Sequence, residues 1–267
     1  MSEATPRPMP LFYREPQPLT PTAHAEVRLK DGDYGFAVET NAVSLSVIEF
    51  AAAMRHYPIV FSDGETLPVA VLGLGQGNRF VADGRWAEGV YVPAYVRRYP
   101  FVFIEAGGGA LALGLDVASD RVVQDGEGQA LFDGGKPTAL TEGAMTFCGE
   151  LHAAHVQTLA FVAALKAQDL LVPRQADAKL ASGQPLTLGG FLVVDRERFA
   201  ALPDAVVLNW HRQGWLALVH FHLASLDRFA DLLARESGAA GSPTVADLSS
   251  DLAKTASKST ARSSKKA

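Results

Sequence analysis

The sequence predicts an α+β fold, with a mostly antiparallel β-sheet, one long helix and several short helices, in a single domain followed by a disordered tail. Short apolar runs bounded by Gly, Pro, Asn or Asp recur along the chain, and such runs are typical of strands joined by turns. Residues 141–171 form the longest stretch with apolar side chains at helical spacing. The chain has 267 residues, of which 48% are hydrophobic and 20% charged, so it can bury a sizeable core.

The first half of the chain is predicted to consist mainly of strands. Residues 44–55 are the exception, since their apolar residues follow helical spacing after a Ser that can cap a helix. A second, short helical turn is expected between Pro93 and Pro100. Strands are predicted within residues 25–38 around an Asp-Gly-Asp turn, and at 59–61, 67–73, 79–82, 101–105, 110–115 and 121–123.

The second half is predicted to be richer in helix. The long helix is expected to continue until Pro173 ends it. Two further strands are predicted, at residues 191–194 and 215–222, because both runs are apolar. The remaining predicted helices begin at Asp195, after Pro203 and at Ser225.

Composition divides the chain into three parts. Residues 1–22 are rich in Pro and predict an extended arm, residues 23–236 predict the globular domain, and residues 237–267 predict a disordered Ser/Lys/Ala tail. The net charge is −5, and the tail holds five basic and two acidic residues, which leaves about −8 for the rest. An acidic body is not typical of a nucleic-acid-binding protein. The basic tail is either a solvated end or a weak contact for nucleic acid or anionic lipid.

The sequence also bears on the cellular compartment. Cys148 is the only cysteine, so the chain has neither an intramolecular disulfide nor a cysteine-rich zinc site. The N-terminus lacks the basic and apolar regions of a Sec-type signal peptide, and no run of 18 uninterrupted apolar residues predicts a membrane span. We therefore expect a cytoplasmic protein, with surface association by a non-Sec route left open.

Three blocks of the sequence carry a family resemblance. They comprise residues 56–61 with 68–74 and 77–80, then Trp86 with 91–101, and finally 190–195 with 214–226. Together they resemble the bacterial SapC family, and the Tyr-Val-Pro-Ala-Tyr-Val-Arg-Arg-Tyr-Pro-Phe block is the most specific of them. The resemblance implies a link by name to surface-layer loci, and it supplies no catalytic residue for this chain.

The strongest candidate binding site combines arginines with aromatic residues. Guanidinium groups flanked by aromatic rings can hold carboxylate or phosphate groups. The predicted ligand-binding residues are Arg97, Arg98, Tyr95, Tyr99, Trp86 and His56. The alternative is structural, with one arginine stacked on a ring and the other paired with an acid such as Glu105. These residues favour a non-catalytic or accessory binding protein whose partner is a peptide, an acidic small molecule or another protein.

A different class of function follows from the histidines. His220 and His222 lie two apart on a predicted strand, so both side chains would share one face, as in β-structured metal sites. This pattern predicts a metal-dependent oxygenase or hydrolase, and its alternative is a pair of core histidines. On the long helix, Cys148, His152 and His155 share a face that could also hold a metal, although no fourth ligand can be named.

The remaining motifs assign no cofactor. Gly73, Gly75 and Gly77 partly match a phosphate-binding loop, but the residues that follow predict a strand where a dinucleotide site needs a helix. The loop is therefore better explained as a glycine-rich connection between strands. No Gly-x-Ser-x-Gly elbow and no His-Glu-x-x-His motif is present.

Overall fold

The computed structural model describes residues 9–106, 108–124, 126–179 and 185–237. The described chain forms two compact units, each built from two separate stretches. Unit 1 contains the residues up to Ala37 and those from Ala94 to Ala153, and unit 2 contains Val38–Pro93 and the residues from Ala154 onwards. Most of the predicted tail, residues 238–267, lies outside the described residues, and the predicted domain boundaries stay a prediction.

The described strands all pair in antiparallel fashion. In chain order they are β1 (Pro16–Pro18), β2 (Arg28–Leu29), β3 (Ala42–Ser44), β4 (Ile59–Ser62), β5 (Pro68–Val71), β6 (Val81–Ala82), β7 (Arg85–Trp86), β8 (Phe101–Glu105), β9 (Leu111–Asp116), β10 (Val122–Val123), β11 (Gln129–Ala130), β12 (Phe132–Asp133), β13 (Lys136–Pro137), β14 (Leu171–Lys179) and β15 (Pro185–Val194).

The described helices include the long one that the sequence predicts. They are α1 (Phe50–Ala53), α2 (Ala94–Arg97), α3 (Ala139–Ala167), α4 (Arg196–Ala200), α5 (Asp204–Gln213), α6 (Trp215–Ser225) and α7 (Arg228–Glu236). The mixture of helices with antiparallel sheets confirms the predicted α+β class. None of the described helices combines the length and the apolar character that a membrane crossing requires.

Unit 1 is built around a three-stranded sheet in the order β1-β9-β8. Strand β1 belongs to the predicted N-terminal arm, and its Gln17 lies opposite Leu115 of β9. Tyr13 anchors the same arm, because its ring is buried and its hydroxyl donates a 2.5 Å hydrogen bond to the Phe101 carbonyl. The core under the sheet consists of Val27, Leu29, Phe101, Leu113, Leu115, Leu131, Phe132 and Cys148.

Unit 2 is built around a five-stranded sheet in the order β14-β15-β4-β5-β3. Helix α6 packs against this sheet through β4 and β15. The largest fully buried side chains of unit 2 include Tyr57, Phe50, Phe61, Phe161 and Ile59. The residues predicted as one helix at 44–55 form a 3-10 turn followed by α1, and Ser46 with Glu49 makes the capping box that starts them.

Two predictions from the C-terminal half are wrong. Residues 215–222 form most of helix α6 and not a strand, because a continuously apolar run also suits a helix buried on several sides. The long helix ends at Ala167, and Pro173 lies inside strand β14. That strand is at the edge of the sheet, where a residue without a backbone N–H is tolerated. The predicted helices at Asp195 and after Pro203 are confirmed. The helix predicted to begin at Ser225 is present as α7, but it begins at Arg228, because Ser225 is the last residue of α6.

Candidate functional site

A cleft in unit 1 is the candidate functional site. It has a volume of about 550 Å³, within the range of pockets that hold small molecules or peptide side chains. It lies between the N-terminal arm, the loop after β2, the end of α2 and the turn after β9. Its lining residues are Phe12, Arg14, Lys30, Asp31, Gly32, Asp33, Gly35, Phe36, Tyr99, Ser119, Asp120 and Arg121.

Three packed aromatic rings line the cleft, of which Phe12 and Phe36 are half-buried and Tyr99 is only 4% exposed. The ring centroids of Phe36 and Tyr99 are 4.3 Å apart, and those of Phe12 and Phe36 are 5.1 Å apart. The backbone of Phe12 has φ of 79°, a left-handed conformation that a bulky side chain rarely adopts. Such outliers concentrate at ligand-binding sites, where the surrounding structure holds them in place. The arm is thus fixed in a conformation that presents the Phe12 ring to the cleft.

Two arginines on the cleft wall are held by acceptors of the protein itself. Arg14 donates from Nη2 to Asp120 Oδ1 at 2.9 Å and also to the Ala118 carbonyl. Arg121 donates from Nη1 to the Tyr99 carbonyl at 2.9 Å. The aliphatic part of Arg121 covers Gly32 so closely that a Cβ there would lie 2.5 Å from its Cδ. Both guanidinium groups therefore have acceptors within the protein, and the Arg14–Asp120 pair lies exposed at the surface.

Asp116, at the end of β9, fixes the position of the cleft's aromatic wall. Its carboxylate is fully buried and accepts hydrogen bonds from the Tyr99 hydroxyl at 3.0 Å and from the backbone N–H of Glu15 at 2.6 Å. The backbone N–H of Arg14 donates to the same group at 3.2 Å. Burial raises the pKa of Tyr99 above its usual value, so its hydroxyl stays a donor to Asp116. One carboxylate therefore joins the arm to Tyr99.

The two arginines predicted to bind ligand both stack on aromatic rings. The Arg98 guanidinium lies 4.0 Å from the ring centroid of Tyr95 and 5.6 Å from that of Tyr13. Arg97 lies 5.1 Å from the ring centroid of Phe147 on α3. Neither arginine lines the cleft, and of the six predicted residues only Tyr99 does. The stacking that the sequence left as an alternative is present for both arginines, and their role in binding stays a prediction.

Trp86 and His56 belong to unit 2, whereas the arginine pair belongs to unit 1. Trp86 donates from Nε1 to the Tyr57 hydroxyl at 2.9 Å, and the His56 ring meets the Tyr57 ring edge-on at 6.1 Å between centroids. Burial lowers the pKa of His56 from its usual value, and the positive charge of Arg55 lowers it further. These contacts give both residues a packing role in unit 2, and their role in ligand binding also stays a prediction.

The histidine pair does not have the geometry that the metal hypothesis required. His220 and His222 lie on helix α6, where residues two apart point to different sides. His220 is exposed and packs against Phe199, while His222 is fully buried. Both ring nitrogens of His222 are engaged, since Nε2 accepts from the Val194 N–H at 3.0 Å and Nδ1 donates to the Ile59 carbonyl at 2.8 Å. His222 thus joins α6 to β4 and β15.

The helix-borne candidates for a metal site are also separated. Cys148 is buried in the core of unit 1, and burial raises the pKa of its thiol to about 11, so it stays neutral. His152 is exposed and packs edge-on against Phe103. Within the described ranges, no group of three or more His, Cys, Asp or Glu side chains could hold a metal ion. The metal hypothesis therefore has no support from the geometry of the described residues.

Comparison with known proteins identifies the family. The SapC family profile matches residues 19–232, which is most of the chain, and this chain belongs to the SapC family. The match includes every lining residue of the cleft except Phe12 and Arg14. No curated protein and no solved structure matches the chain significantly. These comparisons therefore name no ligand and no reaction for this chain.

Proposed function

We propose that this SapC-family protein is a non-catalytic binding protein, and that the cleft in unit 1 binds a peptide segment of a partner protein. The proposal rests on the combination, in one cleft, of packed aromatic rings with charged side chains of both signs. Peptide recognition uses apolar anchors for side chains and fixed polar groups for orientation. The cleft supplies both kinds of group.

The charge of the lining favours a peptide over a small acidic ligand. Three cations, Arg14, Lys30 and Arg121, are balanced by three carboxylates, Asp31, Asp33 and Asp120. An acidic small molecule would meet no net positive charge in such a cleft. A peptide carries amide donors and acceptors and can present basic and acidic side chains together, so it can satisfy both signs.

The rigidity of the cleft also supports binding. Arg121 is hydrogen-bonded to the Tyr99 carbonyl, and Asp116 fixes Tyr99, so these two side chains lose little entropy when a ligand binds. Lys30 and Asp31, in contrast, have exposed side chains at the rim. We therefore assign the aromatic rings to affinity and these two rim charges to the choice of sequence.

A random peptide library displayed on phage, selected on the immobilised full chain, tests the proposal. A peptide obtained this way is synthesised and its affinity measured by calorimetry against the wild type and against the double variant Lys30→Gln, Asp31→Asn. Loss of two rim charges should weaken binding about fivefold to tenfold, because exposed charge pairs contribute up to about 1 kcal/mol each.

The matched control is the double variant Lys136→Gln, Asp133→Asn. It removes the same two charge types from exposed positions of unit 1 that do not line the cleft. Its affinity for the selected peptide should equal that of the wild type. The proposal is rejected if no peptide is selected, or if both double variants bind the selected peptide as the wild type does.

A further inference from the structure

The glycine-rich loop of unit 2 lies between β5 and β6 and comprises residues 73–77. A strand follows it, so it lacks the helix of a dinucleotide site and is the connection between strands that the sequence favoured. A Cβ on Gly73 would lie 2.1 Å from the Gly77 carbonyl oxygen, and Gly77 has φ of 89°. Two of its glycines are therefore required by a tightly folded backbone.

This loop already holds an anion, which is the side chain of Glu236. Its Oε1 accepts from the backbone N–H of Leu74 at 2.8 Å and from that of Gly75 at 3.3 Å. Its Oε2 accepts from Arg79 Nε at 2.7 Å. Successive backbone N–H groups beside a guanidinium are the elements from which proteins build sites for carboxylate and phosphate groups. The Glu236 side chain is only 4% exposed, so the loop encloses this charge.

The position of Glu236 makes its withdrawal a local event. Glu236 is the last residue of α7, and the ends of helices open at far lower cost than the core of a domain. Arg79 has a side chain that is 41% exposed, so the site is open to solvent on the side of its guanidinium. An external anion can therefore approach along Arg79 while Glu236 leaves with the last turn of α7.

We propose that the glycine-rich loop, together with Arg79, is a binding site for an anionic group of the carboxylate or phosphate class, and that Glu236 is its resident occupant. An external anion exchanges with Glu236 and releases the C-terminal end of α7. The site is separate from the cleft of unit 1 and does not depend on the function proposed for that cleft. The glycine-rich loop would thus bind an anion although it is not a nucleotide-binding motif.

Titration of the full chain with inorganic phosphate tests this proposal, with the amide resonances of Leu74 and Gly75 as probes and ionic strength held constant with chloride. The variant Glu236→Gln keeps the size of the side chain and removes its charge. Its loop should bind phosphate about tenfold more tightly than the wild-type loop, since the wild type must first displace its own carboxylate. Acetate in place of phosphate distinguishes a preference for carboxylate from one for phosphate.

The matched control is Glu88→Gln, an exposed carboxylate in unit 2, which should titrate as the wild type does. In the wild type, the Ser237 amide, which donates to the Leu233 carbonyl at the end of α7, should shift together with those of Leu74 and Gly75. The proposal is overturned if the Leu74 and Gly75 amide resonances of Glu236→Gln do not shift on addition of phosphate. It is also overturned if they shift with the same phosphate affinity as in the wild type. Wild-type loop shifts without a shift at Ser237 would overturn it too.

Discussion

The buried imidazole of His222 predicts a specific dependence of stability on pH. Burial lowers the pKa of His222 from 6.5 to about 4, because a charged ring would have no water around it between α6 and the sheet. In the unfolded chain the same ring takes up a proton near pH 6.5. The unfolded state therefore binds more protons between these two values, and the folded state loses stability as the pH falls through them.

The magnitude follows from the two pKa values. A group that moves from 6.5 to about 4 on folding contributes about 3 kcal/mol of stability at neutral pH that is lost at about pH 4. The variant His222→Gln can still accept from the Val194 N–H but cannot titrate. It should be less stable at pH 7 by about 1–3 kcal/mol, because a flexible amide replaces a packed ring and does not reproduce both hydrogen bonds to Val194 and Ile59.

Urea unfolding of both proteins at about pH 7 and about pH 4 is the assay. The wild type should lose about 3 kcal/mol more than His222→Gln on acidification, since the other titrating groups are common to both proteins. Equal losses in the two proteins would show that His222 titrates alike in the folded and unfolded states. The inferred burial of a neutral ring between Ile59 and Val194 would then be wrong.

Three further predictions concern single positions. Gly32→Ala should displace Arg121 and weaken the binding of a selected peptide in calorimetry. Gly64→Ala should leave binding unchanged, because nothing lies within 4 Å of its new Cβ. Equal peptide affinities of the two variants would contradict the close packing at position 32. Cys148 should react with a maleimide only under unfolding conditions, since its thiol is buried and its pKa is raised to about 11. If Cys148 in the native protein reacted as fast as a small free thiol, this prediction would be wrong. Asp195→Ala should lower the free energy of unfolding, measured by urea titration, by about 1 kcal/mol, because Asp195 caps α4 by accepting from two backbone N–H groups. An unchanged free energy of unfolding would show that the cap does not stabilise the protein.

The sequence predicted those parts of the fold that depend on local signals. The helix start at Asp195 and the helical spacing of α3 were both recognisable from neighbouring residues. The apolar run at 215–222 carried no such signal, because its period is compatible with a strand or a buried helix. Pro173 was misleading for a related reason, since whether a strand lies at a sheet edge is decided by distant pairing.

The candidate site was less predictable than the fold. Tyr99 was identified because it lies in a dense group of aromatic residues and arginines. Phe12 lies in the segment predicted only as an extended arm, and Arg121 carried no signal for binding. Arg121 and Phe12 meet Tyr99 through contacts that span 22 and 87 positions of sequence, which no local pattern reports. The hydrogen bond between Glu236 and Leu74 joins residues 162 positions apart, so it too could not be predicted from a local pattern.

The central claim is that the unit 1 cleft binds a peptide against its aromatic rings. The most direct test is to add a selected synthetic peptide to the isotope-labelled full chain and to map the resonances that change. We expect the largest saturable changes at Phe12, Phe36 and Tyr99. Changes centred instead on Arg97 and Phe147, with the cleft resonances unmoved, would contradict the claim.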